Sequence, residues 1–231
     1  MSRLSIVVPV LDEAPGIVSC LAALAPLRAR GAEVVVVDGG SGDATRERAA
    51  ALADRVLQSS RGRALQMNEG ARLARGDVLL FLHADTRLPE DADGLVDRGL
   101  RASGRAWGRF DVRIDARSFL LRAVAAFMNA RSRLTGIATG DQAIFVRRDA
   151  FEHAGGFPAI ALMEDVAFCR RMKRITPALC LREKAVTSAR RWERQGALRT
   201  IFLMWGLRLA FFLGADPAGL AKRYDAGRPI R

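Results

Sequence analysis

The sequence predicts an α/β fold in which a mostly parallel sheet is flanked by helices on both faces. The first indication is a regular alternation of strand-like and helical segments over the first hundred residues. The second is that residues 4–10 and 33–37 are nearly continuous apolar runs, which is typical of strands buried on both faces. With 231 residues, of which 50% are hydrophobic, the chain can bury the core of one domain.

Strands and helices are predicted in alternation over the first half of the chain. The strands are residues 4–10, 33–37, 55–58 and 77–82. The helices are residues 16–28, 43–54 with Asp43 as N-cap, 64–74 and 89–102. Ligands of such sheets bind beyond the carboxyl ends of the strands, so the residues that follow each strand are the candidate site.

The second half has a less regular pattern. It predicts an edge strand at 108–114, a helix at 118–131, a strand at 142–146, and helices at 165–173 and 198–213. Because no internal repeat or low-complexity linker is present, residues 1–231 are expected to form a single domain.

The net charge of +12 favours an anionic partner, and residues 182–231 contain 11 basic and 4 acidic side chains. Phosphorylated small molecules, an anionic membrane surface and nucleic acid are three such partners, and a merely solvated basic face is the alternative. We expect no nucleic-acid partner, because the chain has one tyrosine and lacks an aromatic–basic stacking pattern.

The cysteines and the apolar segments indicate a cytoplasmic protein. Cys20, Cys169 and Cys180 are scattered, with no metal-type spacing or disulfide framework. The N-terminal residues lack the apolar region of a signal peptide. The longest apolar stretch, residues 201–215, is short and interrupted by Arg208, so a transmembrane helix is not predicted.

Carboxylates cluster where the predicted strands end. Asp12 and Glu13 follow the first strand, Asp38 follows the second, and Asp85 follows the fourth. Grouping like charges is unfavourable unless a cation or a hydrogen-bonding ligand compensates, and a divalent metal with a nucleotide ribose would do so. Asp38, which precedes Gly39, either accepts hydrogen bonds from a nucleotide or stabilises its own turn.

Residues 40–45 nearly match a dinucleotide-binding fingerprint, but the match fails in two places. The segment ends in Thr45 and follows the second strand, whereas the first strand leads into residues 9–13, which contain no glycine. A nicotinamide cofactor is therefore not expected.

Asp85 is the candidate ligand for Mg²⁺ or Mn²⁺, which would bridge diphosphate oxygens. His83 lies two positions earlier, on the same side of an extended chain. It is either a second metal ligand, a water-mediated contact, or a histidine satisfied within the protein.

Basic residues at two positions suit phosphate groups. Arg61 and Arg63 lead into a helix, whose first N–H groups favour anions, and an exposed basic loop is the alternative. Arg191 and its neighbours 190 and 192 either steady a leaving diphosphate or form a basic surface turn. Gln66 and Asn68 are either donor contacts or residues of the helix surface.

Glu164 and Asp165 open a predicted helix. A carboxylate at this position is either a general base or an N-cap that complements the helix dipole.

Taken together and in order, these segments resemble the family 2 glycosyltransferases of the GT-A fold, which has a Rossmann-like sheet. The resemblance is carried by residues 6–13, 35–45, 68–71, 74–77, 81–86, 140–142, 145–148 and 155–157, followed by Glu164 and Asp165. Within the family, residues 61–68, 83–85, 140–142 and 189–192 resemble the small transferases associated with radical-SAM and selenodomain proteins, some of which are linked to arsenosugar biosynthesis.

The resemblance implies an inverting transfer from a nucleoside-diphosphate sugar, UDP-linked in our interpretation, to a small molecule or a lipid phosphate. Asp165 would be the catalytic base, and Asp85 with His83 would hold the metal. The implied donor contacts are Pro9, Asp12, Glu13, Asp38, Gly39, Arg61, Arg63, Asn68, Ala84 and Arg191. Residues 1–102 would bind the donor, 103–190 the acceptor, and 191–231 would form a C-terminal helical segment.

Two alternatives remain open. His83 stands where the family usually has an acidic residue, so an inert nucleotide-binding or membrane-associated scaffold competes with the enzyme. Three roles are open for the helices at 118–131 and 198–213. They either dock on the inner face of an anionic membrane, pack on the sheet, or form a homodimer interface.

Overall fold

The computed structural model describes residues 2–226, apart from the side chains of Arg191 and Arg194. Its strands are β1 (Leu4–Val10), β2 (Glu33–Asp38), β3 (Arg55–Gln58), β4 (Val78–Phe81), β5 (Thr86–Arg87), β6 (Trp107–Asp115), β7 (Phe145–Arg147) and β8 (Leu179–Ser188). Its helices are α1 (Ile17–Ala23), α2 (Ala25–Ala29), α3 (Thr45–Ala50), α4 (Arg63–Leu73), α5 (Ala92–Ser103), α6 (Phe119–Thr135), α7 (Arg148–His153), α8 (Glu164–Ile175), α9 (Arg190–Gln195), α10 (Ala197–Phe212) and α11 (Pro217–Ala226).

The eight strands of the described chain form one mixed sheet in the order β3-β2-β1-β4-β7-β6-β8-β5. The first four are parallel, as predicted, so β1, β2 and β4 end at the same edge. Strand β7 is antiparallel to both of its neighbours, and β8 runs parallel to β6 and antiparallel to β5. The predicted α/β class with flanking helices is confirmed.

Alternate residues of β1 pack into two different cores, one on each face of the sheet. Ile6 and Val8 face a cluster that includes α1, α2 and α5, whereas Val7 faces a cluster that includes α4, α7 and α8. Both faces of the central strands are therefore covered, which explains why their sequences are continuously apolar.

Helix α4 lies unusually close to the sheet. A Cβ atom at Gly70 would be 2.4 Å from Cγ1 of Val7 and 2.9 Å from Cγ2 of Val37. The guanidinium of Arg148 holds the C-terminal end of the helix by donating to the carbonyl oxygens of Ala71, Ala74 and Gly76 at 3.0, 2.8 and 2.8 Å. The start of α7 therefore fixes the end of α4.

The prediction that residues 108–114 form an edge strand is wrong, although a strand is present there. Strand β6 is internal, between β7 and β8, and β5 forms that edge. Strand β8 was not predicted because its pairing with β6 has a register shift between Phe110 and Asp111, which leaves Arg182 and Glu183 out of step. Such a bulge interrupts the alternation that identifies a strand in sequence.

Two predicted helices differ in extent. The single helix at 16–28 is divided into α1 and α2, because Pro26 lacks the N–H group needed to continue the first helix. The helix at 43–54 is shortened to α3, and its N-cap is Ala44 rather than Asp43. The Asp43 carboxylate instead accepts hydrogen bonds from the backbone N–H groups of Thr45 and Ala14, at 3.0 and 3.1 Å.

No helix within residues 2–226 is both long enough and apolar enough to cross a membrane. Cys20 and Cys169 are buried free thiols, and Cys180 is half-buried.

The close approach of α4 makes a testable prediction about two helical glycines. Gly70→Ala should lower the free energy of unfolding by about 2–3 kcal/mol, since the new methyl group overlaps Val7 in a packed core. Gly206→Ala is the matched control in α10, where no atom of the described residues lies within 4 Å of the added Cβ, and it should stabilise by about 0.5–1 kcal/mol. Urea unfolding of both variants measures the difference, and equal effects would contradict this packing.

Candidate functional site

The loops that follow β1 and β2 are held together by hydrogen bonds between side chains and backbone. The N–H of Asp12 donates to Oγ of Ser41 at 2.9 Å, and the N–H of Glu13 donates to Oγ1 of Thr45 at 2.8 Å. The N–H of Ala14 donates to Oδ2 of Asp43 at 3.1 Å. In the other direction, the N–H of Gly42 donates to Oδ1 of Asp12 at 2.9 Å. Asp12 has a φ of 52°, a conformation that Asp tolerates better than most residues. The hydroxyl of Thr45 also lowers the pKa of Asp43.

Asp38 is fully buried at the end of β2 and shapes its own loop. Its carboxylate accepts hydrogen bonds from the N–H groups of Gly40 and Ser41, at 3.1 and 3.0 Å, and from the Ser41 hydroxyl. This geometry matches the turn-stabilising alternative. Contact between Asp38 and a donor stays a prediction.

Two polar residues of α4 connect separate parts of the site. The buried amide of Gln66 donates to the carbonyl oxygens of Val10 and Val37, at 2.7 and 2.8 Å, and so joins the ends of β1 and β2. Asn68 donates to the carbonyl oxygen of Phe157 and accepts from its N–H, at 2.8 and 2.9 Å. Both amides therefore position backbone, a role that the sequence patterns did not predict.

Glu13 and Asp85 follow β1 and β4, two parallel neighbours whose carboxyl ends lie at the same edge of the sheet. The pKa of the Cys20 thiol is raised to about 12, mainly by burial and in part by the charges of Asp85 and Glu13. Asp85 is exposed, and Arg190 of α9 reaches Oε2 of Glu13 at 3.4 Å. The C-terminal segment thus contacts the first loop of the chain.

The remaining donor positions differ in exposure. Pro9 is half-buried and Gly39 is buried, with its missing Cβ only 3.0 Å from the Gln66 amide. Ala84 packs into the core, and Arg61 is exposed. The side chain of Arg191 is outside the described part of the chain.

His83 is held by residues from the turn before β7. Its Nδ1 lies 3.2 Å from Oδ1 of Asp141, and its Nε2 would be 2.1 Å from a Cβ at Gly140. Only glycine leaves room for the imidazole at this position. Within residues 2–226, no group of three or more His, Cys, Asp or Glu side chains is arranged to hold a metal.

Asp165 joins the same pocket from the first turn of α8. Its Oδ2 accepts a hydrogen bond from the N–H of Gly140 at 3.1 Å, and its Oδ1 accepts from the N–H of Val166 at 2.7 Å. The pocket between these groups is narrow and is lined by Arg63, Met67, Phe81, His83, Gly140, Ile144, Phe157, Glu164 and Asp165. The structure therefore brings together His83, Arg63 and Asp165, which are far apart in sequence.

Glu164 is the most deeply buried carboxylate of this pocket, with 4% of its side chain exposed. Burial raises its pKa, and the charge of Arg63, whose Nη1 lies 3.6 Å from Oε1, opposes that shift. Of the two alternatives that the sequence left open for Glu164 and Asp165, the N-cap is wrong, because Met163 is the N-cap of α8.

A family model described as glycosyl transferase family 2 matches residues 5–154, which is more than half of the chain. The chain belongs to this family. The match includes the loops of Asp38, His83 and Asp85, and it ends before Glu164 and Asp165. No match was found among curated protein sequences.

Solved structures share the fold of this family 2 glycosyltransferase. S. aureus TarS 1–349 is 18% identical with a TM-score of 0.64, over 81% of this chain and 60% of that one. The mannosyltransferase PcManGT from Pyrobaculum calidifontis is 20% identical with a TM-score of 0.66, over 96% and 69%. Glucosyl-3-phosphoglycerate synthase from Mycobacterium tuberculosis is 18% identical with a TM-score of 0.61, over 80% and 71%.

These similarities establish the GT-A fold that the sequence predicted. They concern the fold alone, because all three identities are low, and the chain spans only 60% of the TarS 1–349 structure.

The buried Glu164 makes a prediction about pH. Because its folded-state pKa is raised above the unfolded value of about 4.3, its contribution to stability is present at low pH and declines as the pH rises through the folded pKa. Between the unfolded and the folded pKa of Glu164, the wild type should lose stability as the pH rises, whereas Glu164→Gln should not. Above the folded pKa, the difference in unfolding free energy between the two proteins should stay constant. In Arg63→Met, the pKa of Glu164 should rise further, because the positive charge that opposes the shift is lost. The decline in stability should then extend to higher pH.

Urea unfolding at a series of pH values measures both effects. If the wild type and Glu164→Gln have parallel stability curves, the raised pKa of Glu164 is contradicted.

Proposed function

We propose that this chain is an inverting glycosyltransferase that moves a sugar from a nucleoside-diphosphate donor, UDP-linked in our proposal, to a small molecule or a lipid phosphate. The carrying observation is that Asp165 meets His83 and Gly140 in one pocket at the ends of the parallel strands. Family membership supports glycosyl transfer. A TarS structure is in complex with UDP-GlcNAc and the PcManGT structure with GDP-Man and Mn²⁺, which supports a nucleotide-sugar donor.

The donor would bind to residues 1–102, at the joined loops after β1 and β2. Pro9, Asp12 and Glu13 are half-buried there and would contact the donor beside the buried Gly39, while Asp38 fixes the loop backbone. The exposed Arg61 and Arg63 would neutralise phosphate charge together with Arg191. Residues 103–190 would bind the acceptor, and the segment from 191 onward would close the site.

Asp85 is the proposed ligand of a divalent cation, because its carboxylate is exposed beyond β4, at the same sheet edge as Asp12 and Glu13. His83 fits a positioning role better than direct ligation, since its two ring nitrogens face Asp141 and Gly140. When bound, Mg²⁺ or Mn²⁺ would neutralise charge on the leaving diphosphate.

Asp165 is proposed as the general base. A hydroxyl oxygen of the acceptor would attack the anomeric carbon, the bond from that carbon to the diphosphate would break, and Asp165 would accept the hydroxyl proton. If the nucleophile is already an anion, Asp165 would orient it instead. The narrow, largely apolar pocket would keep competing water from the reacting carbon.

Peripheral contact with a membrane, with the enzyme in the cytoplasm, belongs to the same proposal. Helices α6 and α10 carry both basic residues and large apolar side chains that are exposed. The exposed apolar side chains are Phe119, Phe127, Leu198, Phe202, Trp205, Leu209 and Phe212. Such a surface suits an anionic lipid interface. We also propose, on residues 61–68, 83–85 and 189–192, that the chain is related to the radical-SAM-associated transferases.

Asp165→Asn should reduce the turnover of nucleotide-sugar transfer or hydrolysis by about 10²–10⁴-fold, as expected for the loss of a general base. Donor affinity should be unchanged. Asp149→Asn is the matched control, because Asp149 also accepts from the next N–H in the first turn of its helix, at 2.8 Å, but lies outside the pocket. Normal turnover in Asp165→Asn would exclude this role, and an inert scaffold would have no turnover in any variant.

UDP and GDP should bind the wild type, with higher affinity when Mn²⁺ is present, and Asp85→Asn should lose the metal-dependent part of the affinity. Isothermal titration with and without Mn²⁺ measures this difference. The absence of binding for both nucleotides under both conditions would refute the proposed donor.

A further inference from the structure

Two arginines on neighbouring helices have buried N–H groups without a polar partner. In the described residues, Nε and Nη2 of Arg131 and Nε of Arg208 are buried and form no hydrogen bond. Unsatisfied donors on charged groups are costly inside a protein and are rare. These donors therefore make the two arginines candidates for contact with a ligand.

The two helices bring these arginines to one place. Helices α6 and α10 contact each other through the rings of Phe127 and Trp205, whose centroids are 5.5 Å apart. Arg131 is four residues after Phe127, and Arg208 is three residues after Trp205, so each arginine lies on the same helix face as the contact. Leu207 belongs to the same hydrophobic cluster as Met163 and Val166, the residues that flank Glu164 and Asp165. The pair therefore adjoins the proposed base.

The charges of this pair are incompletely balanced. The pKa of Arg131 is lowered to about 10, mainly by burial and in part by the neighbouring charge of Arg208, while the charge of Asp165 opposes the shift. A third arginine nearby, Arg109, forms an ion pair with Asp111 and donates to the carbonyl oxygen of Asn129 at 3.1 Å. Nε of Arg109 is also buried without a hydrogen-bond partner, but Asp111 balances the charge of Arg109, whereas neither Arg131 nor Arg208 forms an ion pair within the described residues.

We infer that Arg131 and Arg208 form a binding site for a phosphomonoester and that the acceptor of the proposed reaction carries this group. A phosphomonoester has a charge near −2 and three acceptor oxygens at neutral pH, which match two guanidinium groups. A carboxylate would balance only one of them. The assignment to the acceptor rests on the proposed function, because it depends on Asp165 being the base.

The phosphomonoester has two sources, a soluble metabolite and a lipid headgroup. The exposed apolar surface of α6 and α10 lies on the same two helices as the arginine pair, so a lipid chain would find an apolar path beside its phosphate. A soluble acceptor would use the arginines alone.

The binding test is isothermal titration of glycerol 3-phosphate into the wild type, Arg131→Met, Arg208→Met and the control Arg199→Met. Arg199 is on α10 and exposed, so its substitution removes the same charge outside the site. We expect about tenfold to 100-fold weaker binding for Arg131→Met and Arg208→Met, as for the loss of charged hydrogen bonds, and no change for Arg199→Met. Equal affinities in all four proteins would overturn the inference.

Thermal unfolding without ligand separates binding from structure. Arg131→Met should melt at or above the temperature of Arg199→Met, because the substitution removes a buried charge that has no partner. A clearly lower melting temperature would overturn the inference, since the guanidinium would then stabilise the unliganded fold.

Vesicle flotation distinguishes the two sources. Phosphatidylcholine vesicles containing phosphatidic acid are compared with vesicles of equal surface charge containing phosphatidylglycerol. If the protein floats only with phosphatidic acid vesicles and only when Arg131 is present, the site binds a lipid headgroup. If the protein binds glycerol 3-phosphate but does not float with either kind of vesicle, the site binds a soluble phosphomonoester. Both outcomes support the site, and neither depends on UDP binding, so a failure of the proposed donor would be seen separately.

Discussion

Helix α4 approaches the sheet so closely at Gly70 that any Cβ would overlap Val7, and the rest of the site is arranged around that contact. From this position Gln66 joins the ends of β1 and β2, and Asn68 holds the backbone at Phe157. Arg63, in the first turn, faces Glu164. One helix therefore positions both the loops after β1 and β2 and the start of α8, so a displacement of α4 would disturb both.

The pocket combines rigid support with incompletely balanced charge. Asp38, Gln66 and Asn68 have hydrogen-bond partners that fix backbone, which keeps the loops in place without a ligand. Glu164 and Arg131, in contrast, have pKa values shifted mainly by burial. Shifted pKa values and unsatisfied donors concentrate at functional sites, because binding or catalysis compensates for their effect on stability.

The C-terminal helices complete the site from a distance in sequence. Arg190 contacts Glu13 in the first loop, and Leu207 belongs to the same hydrophobic cluster as Met163 beside the proposed base. Under the proposed function, the basic residues of this segment would place positive charge close to the phosphates of the substrates.

The sequence by itself determined the parallel half of the sheet, because buried strands must be continuously apolar, and it placed Asp12, Asp38 and Asp85 at the strand ends. Only the tertiary structure decided what the polar residues contact. Gln66 has the same helical spacing whether it faces solvent or two carbonyl oxygens, and nothing in the local pattern of β6 shows that β8 will pair beside it. Arg208 was visible as an interruption of an apolar helix, but its meaning depended on Arg131, 77 residues earlier in the chain. Local patterns record burial and periodicity, whereas a site is made by long-range contacts that bring such residues together.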